Sequence, residues 1–332
     1  MNQVNENIRV IQYGLGPIGC ATARLAAERD NLELVGAVDI DPAKVGKDVA
    51  DVIGLDAPLG VEVKPSVGEI GASADVVLHT TNSFFDQFNG QILELLEAGL
   101  DIVSTSEELS FPWHYNAAAA AALDTAAKKA GKTVLGTGVN PGFLMDSLPI
   151  FLTSIAQTVD HIDVRRVINA TTRRGPFQAK IGSGMSVDAF NAKMAEGRMG
   201  HVGIPESMAM IFDTLGKELV RFENNVVPLV AETPIKTSHF DVQAGEVRGL
   251  EQTATGETSD GEFVSFTFRA ALDEEPDGDT ITIKGRPELV INLQGTNGDL
   301  TTSAIAVNAI KNTHKAAPGV FTMRDLPIVS IF

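Results

Sequence analysis

At 332 residues, 44% of them hydrophobic, the chain is long enough to bury a large core and is expected to form two domains. Its net charge of −17 and pI near 4.7 argue against nucleic acid as a partner, because phosphate backbones are bound by clustered lysine and arginine. No apolar run of about 18 residues is available to cross a bilayer, and the start "MNQVNENIRV" lacks a signal-peptide pattern. The sequence therefore predicts a cytoplasmic protein without a membrane partner.

Cysteine and histidine usage gives no sign of a metal or disulfide framework. The sequence has one cysteine, Cys20, and six histidines without a short-spaced ligand pair. Cys20 is interpreted as a small core residue of a helix. The acidic stretch "DEEPDGD" lacks the spacing of a calcium loop and is interpreted as a solvated turn. No metal site is expected.

The first half of the chain alternates between β-rich and helix-forming segments. Strands are predicted at "IRVIQYG", "LELVGAVD", "ADVVLHTT", "LDIVSTS" and "KTVLGTG". Helices are predicted at "CATARLAAER", "FFDQFNGQILELLEAG" and the alanine-rich "NAAAAAALDTAAKKAG". Such alternation builds right-handed β-α-β units, so residues 1–148 are predicted to form a doubly wound parallel sheet of the α/β class, a Rossmann domain.

The pattern changes after about residue 150. Strand-like alternation follows at "HIDVRRVINAT", "FVSFTFRAAL", "DTITIKG" and "PELVINLQG". This predicts a second α+β domain, residues 149–298, with an open, largely antiparallel sheet. The stretch "LTTSAIAVNAIKNTHKAA" is helical again, and a C-terminal helix of about residues 299–332 is expected to return to the first domain.

The segment "YGLGPIG" has the G-x-G-x-x-G spacing between a predicted strand and a predicted helix, and Asp39 ends the next strand 20 residues beyond the last glycine. This context is typical of dinucleotide binding, with the pyrophosphate at the helix N-terminus. Asp39 would bind the adenosine ribose and repel a 2′-phosphate, which favours NAD(H), while Lys44 and Lys47 leave NADP(H) open. The cofactor contacts predicted here are Gly14, Gly16, Pro17, Ile18, Gly19 and Asp39. The alternatives are a glycine turn that binds no nucleotide and a solvated Asp39.

Polar residues also follow the later strands of this predicted sheet. Ligands of such sheets bind outside the carboxyl ends of the strands, where "HTTNSF", "STSEEL" and "GTGVNPGF" lie. Further cofactor contacts are therefore predicted at Thr80, Thr81, Asn82, Ser106 and Asn140. For the threonine segment, an ordinary polar strand-to-helix turn is the alternative.

Two adjacent carboxylates, Glu107 and Glu108, follow the strand "LDIVSTS" at the same edge. A nicotinamide enzyme needs a group that moves a proton while the cofactor moves a hydride. A carboxylate suits an amine or iminium, because it accepts the proton and stabilises the positive charge. The structural alternative is a T-x-x-E capping box formed by Thr105 and Glu108. The residues alone leave both interpretations open.

Several segments together resemble the 2,4-diaminopentanoate dehydrogenase and native amine dehydrogenase family. They span nearly the whole chain in order and are "VIQYGLGPIG", "STSEELSFP", "LGTGVNPGFLMD", "RRV", "GHVGIPESMAMI" and "PGVFTMRDLPI". The resemblance implies a fold similar to dihydrodipicolinate reductase, with a Rossmann domain and a second domain whose open sheet supports a homodimer. It also implies NAD(P)-dependent oxidation of a small-molecule amine to a carbonyl compound and ammonia, or reductive amination in reverse.

The resemblance further implies roles for individual residues. Glu108 corresponds to the acid–base glutamate of the family, and Glu107 is the alternative because the two are adjacent. Substrate-pocket roles are implied for Asn140, Pro141, Phe143, Met145, Arg166 and His201. The sequence admits other interpretations: "NPG" as a turn before a helix "FLMDSLPIFLTSI", and Phe143 and Met145 as core residues. Arg165 and Arg166 lie on opposite faces of a strand, so at most one can point at a cleft.

Three other functions are alternatives to this family. A dihydrodipicolinate reductase-like reductase is disfavoured because the sequence lacks an adjacent histidine pair. A dehydrogenase using lysine and aspartate would have Lys180 and Asp188 available, with only the fold in its favour. An NAD(H)-binding sensor without turnover would leave the paired acids unexplained. 2,4-Diaminopentanoate dehydrogenase proper remains an alternative within the family, and the amine is expected to be small and apolar.

Overall fold

The structure is a computed structural model that describes residues 7–197 and 199–332. Residues 1–6, part of the segment predicted to lack a signal peptide, lie outside the described residues. The chain divides into two compact units. The first comprises the chain through Ser147 together with Pro205–Ser207 and Asn297–Phe332, and the second comprises Leu148–Ile204 and Met208–Thr296.

The β-strands are numbered in chain order. They are β1 Ile8–Tyr13, β2 Leu32–Val38, β3 Val63–Lys64, β4 Val76–His79, β5 Asp101–Ser104, β6 Thr133–Gly136, β7 Thr158–Asn169, β8 Arg221–Val230, β9 Ile235–Lys236, β10 Asp241–Val242, β11 Val247–Thr258, β12 Gly261–Ala271, β13 Gly278–Arg286, β14 Leu289–Leu293 and β15 Gly319–Phe321.

The α-helices are numbered in the same way. They are α1 Pro17–Ala27, α2 Val49–Ile53, α3 Phe85–Glu97, α4 Pro112–Ala130, α5 Ser147–Leu152, α6 Gly175–Lys180, α7 Val187–Ala195, α8 Ile204–Thr214 and α9 Gly298–Lys315. Short 3-10 turns lie at Val67–Glu69, Glu107–Ser110 and Thr153–Ile155.

The first unit is built on a parallel sheet with the strand order β15-β6-β5-β4-β1-β2-β3. The order reverses at β1, where chain connections run to opposite sides and a ligand crevice is expected. Helices α3 and α4 cover one face through a core that includes Phe88 and Leu123. On the other face, α9 packs through Val307 and Ile310. Burial on both faces explains why the strands are nearly continuous apolar runs.

The second unit is built on a six-stranded sheet with the order β14-β13-β7-β12-β11-β8. Only β7 and β12 pair in parallel among its neighbours; the other pairs are antiparallel. One face packs on a core that contains Phe190, Leu250 and Phe268. The predicted fold class, a Rossmann sheet plus an open and largely antiparallel sheet, is confirmed.

The structure corrects several local predictions. The helix expected from Phe143 starts only at Ser147, because the carboxylate of Asp146 accepts the Gly142 N–H at 2.8 Å and folds the preceding chain into turns. The C-terminal helix ends at Lys315 and not near residue 332, since Pro318 cannot continue it, and β15 follows. Helices α6, α7 and α8 supply the helical part of the second unit, for which the sequence predicted an α+β domain without assigning these helices.

The stretch "DEEPDGD" also differs from the solvated turn expected of it. Glu274 is 6% exposed and Asp279 is 3% exposed. Glu274 pairs with Arg248 at 2.8 Å, and Asp279 lies against Arg166. Basic partners on neighbouring strands made this burial possible, which the acidic run alone did not reveal.

Candidate active site

The glycine turn after β1 has the geometry of a phosphate cradle. Gly14 has a φ of +89°, and a Cβ there would lie 2.6 Å from the Thr80 carbonyl oxygen. A Cβ on Gly19 would lie 1.9 Å from the Gly14 carbonyl oxygen, so close packing of helix on strand requires glycine. A Cβ on Gly16 would meet nothing within 4 Å. Gly16 is the N-cap of α1 and Pro17 begins the helix, and no side chain caps the N–H groups of the first turn, so this helix start suits a pyrophosphate.

Thr80 holds this turn in place. Its hydroxyl donates to the Gly14 carbonyl at 2.9 Å and accepts from the Gln12 amide at 2.8 Å. Thr81 and Asn82 are exposed at the same sheet edge. The Thr81 hydroxyl donates to the Gln91 side chain at 2.6 Å. The geometry thus gives Thr80 a structural role, while its predicted contact with a cofactor stays a prediction, as do those of Thr81 and Asn82.

Asp39 follows β2 and is surrounded by donors. Its carboxylate accepts the N–H groups of Leu15 and Asp41, each at 2.8 Å, and lies 3.1 Å from Lys44 Nζ. Burial works against its ionisation, but the hydrogen bonds from Asp41, Leu15 and Lys44 outweigh burial and lower the pKa of Asp39. Asp39 is therefore a charged acceptor at the place where the adenosine ribose is expected.

Glu108 lies in the 3-10 turn after β5 and is 8% exposed. The capping box with Thr105, the structural alternative for Glu108, does not form, because the Thr105 N–H donates to the His79 carbonyl at 3.0 Å. Glu108 Oε2 instead accepts the N–H of Phe85 at 2.5 Å, the first residue of α3. The carboxylate thus satisfies an orphan donor of another helix. In the described part of the chain, Oε1 of Glu108 makes no hydrogen bond and no cation pairs with the residue.

The electrostatics of Glu108 favour proton exchange. Burial raises the pKa of Glu108; the Phe85 N–H lowers it in part, and the nearby Asp86 and Glu107 raise it further. Glu107 is half-buried. A carboxyl group whose pKa is shifted toward neutrality by burial is suited to accept and return a proton under physiological conditions.

Glu206, a carboxylate that is subject to the charge of Glu108, was missed by the sequence predictions. Glu206 lies in the first turn of α8, within the part of that helix that belongs to the first unit, and is 4% exposed. Burial raises the pKa of Glu206 to about 7, its own backbone N–H opposes this, and Glu108 and Glu107 add to it. In the sequence, an acidic residue in a helical first turn indicates only a favourable dipole interaction.

The loop after β6 is held by Asp146, which is fully buried. Its carboxylate accepts the Gly142 N–H at 2.8 Å and the Ser207 hydroxyl at 2.7 Å. This fixes the segment that carries Asn140, Pro141, Phe143 and Met145. Pro141 is buried, Asn140 is half-buried, Phe143 is 37% exposed and Met145 is fully buried. Their substrate contacts stay predictions.

Two buried hydroxyls follow the neighbouring strands β5 and β6. Ser106 and Thr137 are each 2% exposed, and their side-chain oxygens have no hydrogen-bond partner among residues 7–197 and 199–332. The Thr137 N–H donates to the Ser104 carbonyl at 2.8 Å, which ties the two strand ends together. Buried polar atoms are normally paired, so these hydroxyls fit a polar ligand such as the nicotinamide part of a cofactor. Ser106 was predicted; Thr137 was missed.

Arg166 and His201 belong to the second unit. Arg166 is 2% exposed; its Nη2 donates to the Thr296 carbonyl at 3.0 Å and its Nη1 lies 3.5 Å from Asp279. Arg165, its neighbour, is exposed, as expected for opposite faces of β7. His201 stacks on Phe268 with ring centroids 4.7 Å apart. Lys180 and Asp188 are both exposed.

The described residues contain neither a metal-binding cluster nor a membrane-spanning helix. Between residues 7 and 332, apart from residue 198, no three His, Cys, Asp or Glu side chains are placed to share a metal ion. In the same residues, no helix combines the length and the apolar composition needed to span a membrane. Cys20 lies half-buried in α1, and its thiol donates to the Leu15 carbonyl at 3.2 Å.

The parallel sheet, the glycine turn and the acidic acceptor after β2 define an oxidoreductase of the nicotinamide-dependent dehydrogenase class. The C-terminal domain of 2,4-diaminopentanoate dehydrogenase matches residues 143–332. The chain belongs to the 2,4-diaminopentanoate dehydrogenase family, as predicted.

Individual relatives agree with this assignment. The chain is 32% identical to 2,4-diaminopentanoate dehydrogenase of Acetoanaerobium sticklandii, over 97% of this chain and 94% of the relative. It is 22% identical to amine dehydrogenase of Streptomyces virginiae, over 97% and 96%. The solved structure of amine dehydrogenase from Mycobacterium smegmatis has the same fold, with a TM-score of 0.87, 24% identity, and coverage of 98% and 97%.

Proposed function

We propose that the chain catalyses the reversible, NAD(P)-dependent oxidative deamination of a small amine, with Glu108 as the acid–base group. An ammonium substrate, NAD(P)+ and water give a carbonyl compound, ammonium, NAD(P)H and one proton. The observation that carries the proposal is Glu108: a buried carboxylate at the carboxyl end of β5, with one oxygen held by the Phe85 N–H and no cationic partner in the described residues. Family membership supports the reaction class.

Glu108 has two tasks in this reaction. It removes a proton from the incoming ammonium group, and its negative charge then stabilises the iminium that forms at the substrate carbon. The raised pKa of Glu108 makes it a stronger base than an exposed glutamate, while the Phe85 N–H fixes the direction of the carboxylate. In the reductive direction the same group deprotonates ammonium and assists the loss of water from the carbinolamine.

The first unit supplies groups that fit a nicotinamide cofactor. The N–H groups at the start of α1 would hold the pyrophosphate, Asp39 the ribose, and the unpaired hydroxyls of Ser106 and Thr137 the amide end. When bound, the cofactor accepts hydride from the amine carbon. Asp39 supports NAD(H) over NADP(H), because its carboxylate would repel a 2′-phosphate. Lys44, 3.1 Å away, reduces that repulsion, so some use of NADP(H) is expected.

The ion pair between Arg166 and Asp279 supports a substrate that has no carboxylate. A diamino acid requires a cation for its carboxylate, but the charge of Arg166 is already balanced by buried Asp279. Phe143 and Met145, predicted pocket residues, would offer an apolar wall and limit hydrolysis of the iminium. We therefore favour a short alkyl amine or ketone over 2,4-diaminopentanoate, whose turnover is the alternative outcome of a substrate comparison.

The proposal includes an oligomeric state and a cellular compartment. We expect a homodimer formed through the open sheet of the second unit, in which β8 and β14 are edge strands and carry exposed Val227 and Val290. Light scattering coupled to size exclusion would report the subunit number directly. A cytoplasmic location stays a prediction.

The proposed function is tested by mixing the purified protein with NADH, a high ammonium concentration and a panel of short ketones and aldehydes, and following reduced-nicotinamide absorbance. Glu108→Gln is compared with Glu107→Gln, a matched change at the adjacent acid. We expect ammonium-dependent oxidation that Glu108→Gln abolishes and Glu107→Gln largely retains. Turnover without ammonium would indicate a carbonyl reductase. NADH binding without turnover would indicate a sensor.

A further inference from the structure

His79, the last residue of β4, is a buried ionisable group to which the proposed reaction assigns no role. Its side chain is fully buried, and its ring centroid lies 5.5 Å from that of Tyr13, the last residue of β1. It pairs in register with Ser104, the last residue of β5. His79 therefore lies where three neighbouring strands end, directly before the segments that carry the candidate cofactor and acid–base residues.

Both ring nitrogens of His79 are hydrogen-bonded, and the partners determine which nitrogen carries the hydrogen. Nε2 lies 2.8 Å from Oε1 of Gln91, an amide oxygen that can only accept, so Nε2 carries a hydrogen. Burial lowers the pKa of His79 to about 4, which the hydrogen bond to Gln91 opposes in part. The ring is therefore neutral at physiological pH and holds a single N–H hydrogen. Nδ1 is consequently an acceptor, and it lies 2.8 Å from the hydroxyl of Ser104.

The acceptor role of Nδ1 determines the hydrogen bonds of Ser104. The Ser104 hydroxyl has one hydrogen, which it donates to Nδ1, and its oxygen keeps lone pairs for a second contact. The Ser106 N–H donates to that oxygen at 3.2 Å. Through one serine, His79 thus holds the chain that enters the Glu107–Ser110 turn, which contains the buried Glu108.

The other side of the imidazole is linked to the segment after β4. The Thr81 hydroxyl lies 3.0 Å from Nε2 of His79 and donates to Oε1 of Gln91 at 2.6 Å. Gln91 belongs to α3, the helix whose first residue, Phe85, donates its N–H to the Glu108 carboxylate. One buried ring therefore joins a predicted cofactor contact, Thr81, to the strand end and to the helix that flank the acid–base group.

We propose that His79, with its ring hydrogen on Nε2, is a positioning residue for hydride transfer: through Ser104 it fixes the strand end that carries Ser106 and Glu108. The Ser106 hydroxyl is buried and fits the amide end of a nicotinamide cofactor, so a shift of this strand end would misplace the cofactor and the acid–base group together. His79 acts through Ser104 and is not a catalytic residue. The catalytic part of the inference rests on the proposed amine dehydrogenase function, whereas the hydrogen-bond chain does not.

Two variants at position 79 separate positioning from packing. The side-chain oxygen of asparagine can occupy the place of Nδ1, so His79→Asn keeps an acceptor for the Ser104 hydroxyl. His79→Leu keeps a buried side chain of similar size but has no acceptor. Leu123→Ala removes a buried side chain from the core on one face of the same sheet, and it is the matched control for lost stability.

Amide hydrogen exchange tests the chain of hydrogen bonds without any turnover. The rate at Ser106 is compared with the rate at Val134, a fully buried residue of β6. We expect this ratio to rise up to about tenfold in His79→Leu, the effect of one lost hydrogen bond, to recover in His79→Asn and to stay unchanged in Leu123→Ala. An unchanged ratio in His79→Leu would overturn the inference. Ser104→Ala, which removes the linking hydroxyl, should raise the ratio equally if His79→Leu folds poorly.

The ring hydrogen can be located directly in the unmodified protein. Nitrogen NMR distinguishes the two ring nitrogens, and the signals of His79 are identified by their loss in His79→Asn. We expect a single ring hydrogen, on Nε2, at neutral pH. A hydrogen on Nδ1 would make Ser104 the acceptor from the ring, and it would contradict the proposed chain of hydrogen bonds.

Rapid mixing of amine with NAD+ tests the catalytic part. We expect His79→Leu to slow hydride transfer by about 10- to 100-fold, since a misplacement of about 1 Å can cost that much, and His79→Asn to recover most of the rate. The Kd for NADH should stay within about threefold, and Leu123→Ala should transfer hydride normally. Equal slowing in Leu123→Ala would indicate a packing effect and refute positioning. If the unmodified protein transfers no hydride from any amine, the proposed function fails, while exchange at Ser106 still decides whether His79 holds the strand end.

Discussion

Asp39 and Glu108 are comparable because each follows a strand of the same parallel sheet, yet their surroundings differ. Asp39 accepts two backbone N–H groups and pairs with Lys44, so its pKa is lowered despite burial. Glu108 accepts one N–H and has acidic neighbours, so burial raises its pKa. A carboxylate that is saturated with donors stays charged and binds, whereas one with few donors can exchange a proton.

The largest effect is expected from replacing Glu108, the carboxylate that exchanges a proton. Glu108→Gln should lower kcat for amine oxidation by about 10²- to 10⁴-fold, the usual contribution of general acid–base catalysis. Binding of NAD(H), measured by fluorescence, should stay within about threefold because Asp39 and the glycine turn are untouched. If NADH binding weakened as much as kcat falls, Glu108 would contribute to cofactor binding as well as to proton exchange.

The next effect concerns stability and pH. The pKa of Glu206 is raised from 4.5 to about 7, so its folded form binds a proton more tightly than its unfolded form. The stability that this provides is fully present below pH 4.5 and is lost as pH rises through about 7, by roughly 3 kcal/mol at 1.36 kcal/mol per pKa unit. In denaturant unfolding, the free energy of unfolding of Glu206→Gln should depend less on pH across this window. Glu218→Gln, a change at an exposed glutamate, is the control.

A smaller effect is expected from replacing Asp39, the carboxylate that stays charged. Asp39→Ala leaves the N–H groups of Leu15 and Asp41 without their acceptor, which should cost about 1–2 kcal/mol in the free energy of unfolding. The KM for NAD should rise about tenfold, equivalent to roughly 1.4 kcal/mol of lost binding, with kcat nearly unchanged, and NADP should be used relatively better. An exposed aspartate changed in the same way, Asp56→Ala, should alter neither cofactor preference nor stability.

The smallest effect is expected from Lys44→Met. The Lys44–Asp39 pair is partly exposed, and such pairs contribute about 0–1 kcal/mol. Stability should therefore change little, while the ratio of NAD to NADP turnover should rise a few-fold because the only cation paired with Asp39 in the described residues is removed. If the ratio falls, Lys44 does not reduce the repulsion between Asp39 and the 2′-phosphate of NADP.

Local patterns predicted much of this fold. The glycine spacing, Asp39 and the apolar strand runs are contiguous in the chain, so the Rossmann sheet and the turn geometry followed from them. Glu108 was identified as a candidate, and its structural alternative, a capping box with Thr105, does not form: the Glu108 carboxylate instead accepts the N–H of Phe85. That contact depends on the pairing of β4 with β5 and has no signature within "STSEEL".

Residues defined by long-range surroundings were missed. Glu206 is significant because it is buried and is subject to the charge of Glu108, while its segment has the composition of an ordinary helix start. Thr137 is significant because its hydroxyl is buried without a partner in the described residues. Neither burial nor the absence of a partner is encoded by short spacing, so such residues emerge only from the folded chain.

The hydrogen bond from Phe85 to Glu108 links a proton transfer to the local stability of α3. A protonated carboxyl group is a weaker acceptor than a carboxylate, so uptake of a proton by Glu108 should loosen the first turn of that helix without unfolding its buried remainder, which includes Phe88 and Ile92. Amide hydrogen exchange at Phe85 would then vary with the protonation of the active site. The rate of amide exchange at the start of α3 would thus report whether Glu108 is protonated.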